Sequence, residues 1–75
     1  MEEEQPRFQR GDIVRTPHKI EQWGQPTVAA GSSGIVEGTV ENRIFGGFSL
    51  AVSWECENGA TTRPMFVHEN AVKLA

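Results

Sequence analysis

The chain has 75 residues, of which 37% are hydrophobic, and its formal net charge is −3. This length gives room for one domain with one core, and it leaves little protein in which to build a deep catalytic pocket. A single cysteine excludes an intramolecular disulfide framework, and no apolar run approaches the roughly 20 residues of a membrane-spanning helix. The composition therefore favours a small globular domain, without membrane insertion.

The N-terminal residues differ from the rest of the chain. Glu2, Glu3 and Glu4 supply the whole net charge, because the seven other acids equal the seven bases. A signal peptide needs basic residues followed by an apolar stretch, which is the opposite pattern, so we expect a cytoplasmic protein. We predict a disordered acidic tail over residues 1–6 and one domain over residues 7–75.

The first predicted strand covers residues 12–16 and ends at Pro17, which has no N–H to donate to a sheet. Residues 17–33 contain two prolines, two glycines and paired serines, and no period of 2 or 3.6 persists through them. This pattern predicts a long loop after the first strand, and loops of such length are often functional.

Two further strands are predicted over residues 34–41 and 49–55, with a glycine-centred turn between them. Gly38 within the second strand indicates a bulge or a sharp bend. Alternating apolar positions in the three strands predict a shared core. Its predicted members are Val14, Val36, Val40, Leu50, Val52 and Trp54.

The C-terminal third begins with Asn58-Gly59, a dipeptide that favours a type I′ turn. It predicts a tight hairpin into a fourth strand over residues 60–63, ended by Pro64. A single helical turn is predicted over residues 68–71 and a closing strand over residues 72–74. The order of elements predicts an all-β fold, a small five-stranded SH3-like barrel with a long loop after strand 1 and a short helical turn before the last strand.

Three short motifs resemble those of small SH3-like β-barrel accessory domains: Gly11-Asp12-x-Val14-Arg15, Gly31-x-x-Gly34-x-Val36 and Val52-x-Trp54. Similar patterns occur in the small stromal subunit of photosystem I, the variable chain of ferredoxin–thioredoxin reductase, the nitrogen-fixation accessory protein NifZ and the β-subunit barrel of nitrile hydratase. The resemblance spans residues 10–74 and does not select one of these families. It implies a docking subunit or accessory domain of a larger assembly.

Catalysis and metal binding have little support in the sequence. His18, Cys56 and His68 are far apart in the chain and lack the spacing of metal-ligand or Cys–His nucleophile motifs. One barrel enzyme of similar size, the plasmid-borne dihydrofolate reductase, depends on a Val-Gln-Ile-Tyr motif, and this chain has no tyrosine. We therefore expect no enzyme activity, no metal and no cofactor.

Large apolar residues occur where strand periodicity does not place them in the core. Trp23 lies in the long polar loop, either as a lid on the barrel or as a contact residue, and Ile44, Phe45 and Phe48 surround a Gly-Gly turn, either tucked beneath the barrel or facing a partner. Ile13 and Ile35 fall on the faces opposite to Val14 and Val36. We predict that these residues bind a partner, and that Trp23 and Phe45 share one surface whose polar rim includes Lys19 and Arg43.

The primary functional prediction is a non-catalytic binding module or accessory subunit that mediates protein–protein interaction. The alternative is a nucleic-acid-binding barrel of the KOW or Tudor type, using the basic segment over residues 7–19. Its contacts to phosphate would be Arg7, Arg10, Arg15 and Lys19, which otherwise form a solvated face. The sequence favours no particular oligomeric state.

Overall fold

The computed structural model describes residues 5–75, which form five strands and one 3₁₀ turn. The elements in chain order are β1 (Ile13–Arg15), β2 (Ser33–Glu41), β3 (Phe48–Trp54), β4 (Met65–His68), the 3₁₀ turn (Glu69–Ala71) and β5 (Lys73–Leu74). The fold is all-β, as predicted, and the helical turn before the last strand is confirmed. Most of the predicted tail lies outside the described residues.

All strand pairs are antiparallel, and the strand order across the sheet is β4-β3-β2-β1-β5. Within residues 5–75, no ladder joins the outer strands β4 and β5, so the sheet is not closed. The chain nevertheless connects the end of β4 at His68 to the start of β5 at Lys73 through five residue-to-residue steps, and a fully extended chain of that length spans at most about 18 Å. Since the outer strands of a flat five-stranded sheet lie about 19 Å apart, the sheet must curl to admit a connection that includes a 3₁₀ turn.

The core lies on the inner face of the curled sheet. Leu50, Val52 and Trp54 alternate along β3 and are all fully buried, which confirms the predicted face of this strand. Val14 and Val36 join them as predicted. The core also includes four residues that strand alternation did not identify: Phe8, Val28, Met65 and Val72.

Val40 is the exception to the predicted core, because it is 49% exposed. The register between β2 and β3 shifts after Val36, which confirms the irregularity predicted at Gly38. Val36 pairs with the buried Val52, but beyond the bulge Val40 pairs with Ser49. An extra residue in one strand reverses the side-chain alternation that follows it, so Val40 points to the outer face.

The fourth strand also differs from the prediction. β4 begins at Met65, after Pro64, and residues 60–63 contribute one isolated bridge between Glu55 and Thr61. The turn before it has a Gly59 N–H to Cys56 O hydrogen bond of 3.0 Å, and no described residue other than glycine has a positive φ. A type I′ turn needs positive φ at Asn58, so this turn is instead a three-residue loop with Gly59 in the left-handed region.

The long loop has local order. Ile20 and Val28 form an isolated bridge with two backbone hydrogen bonds of 2.9 Å, and Val28 is fully buried. Trp23 and Gly24 occupy the turn at its tip, where Gln25 N–H donates to Gln22 O at 3.1 Å. The loop is therefore a short finger anchored in the core at its base.

Candidate interaction surface

The outer face of the sheet carries a group of exposed apolar side chains. Directly paired residues project to the same face, so the register defines this surface. Along strand β3 it bears only small side chains, those of Ser49, Ala51 and Ser53. Larger apolar residues surround these small ones: Ile13, Ile35, Val40, Ile44 and Phe66, all exposed. The result is an apolar face with a low strip along β3, and one concavity lies at each end of this strip.

The first concavity, which we call the phenylalanine hollow, lies at the end of the sheet where β2 turns into β3. Its lining residues are Val40, Glu41, Asn42, Arg43, Ile44, Ser49 and Phe66. Val40, Ile44 and Phe66 are 49%, 86% and 65% exposed, although they come from three separate segments. Glu41 and Arg43 add one charge of each sign. An apolar floor with a polar rim is the usual anatomy of a protein interface.

The turn that carries Ile44 is held by its own hydrogen bonds. The Asn42 side-chain oxygen accepts from Ile44 N–H at 3.1 Å and Phe45 N–H at 2.9 Å, and Asn42 N–H donates to Gly47 O at 2.9 Å. Gly46 and Gly47 both have positive φ, which glycine adopts without strain. The hollow is therefore bordered by an ordered turn, so little conformational entropy would be lost on binding.

His68 and Glu69 connect the same turn to the 3₁₀ turn. His68 Nε2 lies 2.7 Å from Gly46 O, which can only accept a hydrogen bond, and His68 Nδ1 accepts from Asn70 N–H at 3.1 Å. The buried Glu69 carboxylate accepts from Arg7 N–H at 2.9 Å and from Phe48 N–H at 3.2 Å. These contacts join the N-terminal segment, β3 and the end of β4.

The second concavity, which we call the isoleucine groove, lies toward the other end of the sheet. Ile13 and Ile35 are direct partners on β1 and β2, and both are about half exposed. The lining consists of Ile13, Ser33, Gly34, Ile35, Glu37, Ser53, Glu55 and Thr61. The predicted outward orientation of the two isoleucines agrees with the register, because Val14 and Val36 face the core.

The remaining predicted contact residues do not join one surface. Phe48 is half-buried and lies in the inward row of β3 with Leu50, and Phe45 projects from the turn. Trp23 is fully exposed at the tip of its finger. The finger adjoins the start of β2 and the turn follows its end, and a strand of nine residues separates its ends by about 26 Å. The expected shared surface of Trp23 and Phe45 is therefore not formed.

The predicted basic segment is also divided. Lys19 forms an ion pair with Glu21 at 2.9 Å, and Arg7 lies beside Phe48 and Glu69 at the turn end of the sheet. Arg15 lies near the opposite end, where it is the direct partner of Lys73. Arg10 is exposed in the turn before β1. The four bases of residues 7–19 therefore do not form one patch, although Arg15 and Lys73 form a local pair.

Phe66 and Lys73 are the surface residues that sequence reasoning missed. Phe66 lies in a strand that was predicted five residues earlier in the chain, and the position of Lys73 beside Arg15 follows only from the pairing of β5 with β1. Among residues 5–75, no three His, Cys, Asp or Glu side chains are grouped closely enough to hold a metal ion. No helix in the described part of the chain is long and apolar enough to cross a membrane.

Comparison of the chain with protein-family models, with curated proteins and with solved structures gives no significant match.

Proposed function

We propose that this protein is a non-catalytic binding module that docks a protein partner on the outer face of its sheet, with the phenylalanine hollow as the contact site. One observation carries the proposal. Val40, Ile44 and Phe66 come from three separate segments, yet they line one wide, shallow depression on the outer face. Side chains that are well exposed on a domain this small gain free energy when a partner covers them, at about 25 cal/mol per Å² of apolar area.

The proposed scaffold is an SH3-like barrel. The support is the curled five-stranded sheet, the long loop after β1 and the 3₁₀ turn that carries the chain between the two outer strands. In such a barrel the interior is filled by side chains, so a partner must use the outer face or the loops. The proposed role is that of an accessory subunit in a larger, cytoplasmic assembly.

The proposed partner presents an apolar segment with polar or charged flanks. Glu41 and Arg43 give the rim of the hollow both signs of charge, so neither a strongly acidic nor a strongly basic partner is favoured. The ordered turn at Asn42 presents Ile44 in one position. We therefore expect binding to depend weakly on salt, since its main contribution is apolar contact.

A second candidate is the nucleic-acid-binding barrel, which one observation favours. Arg15 and Lys73 are direct neighbours on β1 and β5 beside a concavity that they line together with Gly31 and Leu74. A salt titration separates the candidates, because affinity for phosphate decreases steeply as salt rises. The division of the basic segment over both ends of the sheet supports the protein partner.

The proposal is tested by quantitative affinity capture and cross-linking from the native host, with the wild-type chain and the double variant Ile44→Asn/Phe66→Asn as baits. The expected result is a partner that cross-links near the hollow and is lost with the double variant. Trp23→Ala is the matched control, because it removes an exposed aromatic residue away from the hollow. If Trp23→Ala loses the partner and the double variant keeps it, the partner binds the finger and the proposed site is refuted.

A further inference from the structure

The isoleucine groove is bordered by a row of charges that crosses the sheet. Lys73 on β5 pairs with Arg15 on β1, Arg15 pairs with Ser33 on β2, and Glu55 N–H donates to Ser33 O at 2.9 Å. All four side chains project to the outer face with Ile13 and Ile35. From the edge strand β5 to the position that follows β3, the row therefore reads base, base, neutral, acid.

These charges have no ion-pair partners within the described residues. The ion pair found there joins Lys19 to Glu21, not Arg15, Lys73 or Glu55. Two bases placed directly opposite each other destabilise a sheet by repulsion. An acidic group of a second molecule placed near the two bases would relieve this repulsion. The row is therefore suited to contact with a second row in which an acid faces these bases and a base faces Glu55.

We propose that the isoleucine groove is the contact surface between two copies of this chain, related by a twofold axis that runs along the strands between β1 and β2. Rotation about this axis reverses the order of the row. Lys73 of one copy then faces Glu55 of the second copy, and Ile13 faces Ile35 of the second copy. A twofold interface needs this self-complementarity, because each contact occurs twice.

The direction of the axis follows from the charges. An axis across the strands through the row would place Lys73, Arg15 and Glu55 each against its own copy, which is repulsive at every position. The axis along the strands aligns the strands of the two sheets, as in the aligned packing of β-sandwiches, with the sheets about 10 Å apart. Ser33 and Ser53 are small enough to admit the isoleucines between the sheets.

The proposal is independent of the partner site. Phe66 lies on β4, beyond β3 from the axis, so its side chain stays outside the contact between copies, whereas Val40 of the phenylalanine hollow lies on β2 beside the axis. The effect of a substitution at Phe66 is therefore separable from the effects of substitutions in the isoleucine groove. Phe66→Asn removes partner binding under the proposed function and leaves self-association unchanged. The experiments can therefore refute the proposed partner site while the proposed dimer stands, or refute the dimer while the partner site stands.

The test is sedimentation equilibrium of the full chain over a wide concentration range, with charge reversal and its compensation. The wild type is expected to be a reversible dimer. Lys73→Glu places two carboxylates together at both symmetric positions and is expected to weaken association at least about tenfold. Lys73→Glu/Glu55→Lys restores opposite charges and is expected to recover most of that loss. Both residues are exposed, so the variants retain the fold, which circular dichroism checks.

Lys19→Glu is the matched control, since it makes the same change of net charge outside the groove and is expected to leave association unchanged. Ile35→Thr removes apolar contact at the axis and is expected to weaken association. A wild type that stays monomeric at every concentration would overturn the proposal. So would a dimer that is indifferent to Lys73→Glu, or one that the double reversal does not restore. Loss of oligonucleotide binding with Lys73→Glu in a monomeric protein would assign the row to phosphate instead.

Discussion

Gly34 and Trp54 lie directly opposite each other on β2 and β3, and a Cβ at position 34 would lie 2.7 Å from Cε3 of Trp54. The same Cβ would lie 2.7 Å from Cγ1 of Val52 and 2.9 Å from the backbone oxygen of Ser53. Real Cβ atoms do not approach so closely, so the indole ring packs where only a glycine leaves space. The largest buried side chain of the core thus depends on the absence of a side chain on the neighbouring strand.

Gly34→Ala is expected to destabilise the fold by about 1–3 kcal/mol, the usual result of overpacking a filled core. Thermal or urea unfolding measures the loss. Gly38→Ala is the control on the same strand, because a Cβ there meets nothing within 4 Å. The control is expected to be neutral or slightly stabilising through the entropy of the unfolded chain. Equal melting temperatures for the two variants would contradict the packing of Trp54 on Gly34.

Val52→Ala and Val40→Ala test the effect of the bulge on the two faces of the sheet. Val52 is fully buried, so its truncation is expected to reduce the free energy of unfolding by about 2 kcal/mol. Val40 is 49% exposed on the outer face, and its truncation is expected to change stability by less than about 0.5 kcal/mol. Urea unfolding of both variants gives the comparison. A large effect at Val40 with a small one at Val52 would show that the register shift is misplaced.

Glu69→Ala is expected to release the N-terminal segment from the sheet. Its carboxylate accepts hydrogen bonds from the backbone of Arg7 and Phe48, and hydrogen bonds to charged groups contribute about 1.5–3 kcal/mol each. Amide hydrogen exchange measures the result as faster exchange at these two N–H groups. Glu57→Ala, at an exposed carboxylate of the hairpin loop, is the control and is expected to leave both rates unchanged.

The two tryptophans provide a spectroscopic test of the finger and the core. Trp23 is fully exposed and Trp54 fully buried. Trp23→Phe is therefore expected to leave blue-shifted emission that acrylamide quenches poorly, with an unchanged melting temperature. Trp54→Phe is expected to leave red-shifted, readily quenched emission. Protected emission from Trp23 in the free protein would mean that the finger folds back as a lid.

Part of this architecture could be predicted from the sequence because it depends on local alternation. Leu50, Val52 and Trp54 recur every second residue, and the pleat of a strand must bring them to one face. Gly38 indicated an irregularity because a glycine in mid-strand weakens the ladder there. The outward orientation of Ile13 and Ile35 followed from the same alternation, which is why the two isoleucines of the groove could be predicted.

Local sequence patterns were therefore sufficient to predict the all-β class, the inward faces of β1, β3 and the first half of β2, and the apolar residues outside the core. Which of those residues come together depends on tertiary contacts. The bulge turns the side chain of Val40 to the outer face. Strand β4 begins only at Met65, which brings Phe66 close to Val40. The pairing of β5 with β1 places Lys73 directly opposite Arg15. The physical reason is that alternation is a property of consecutive residues, whereas register and strand order arise from contacts between residues far apart in the chain.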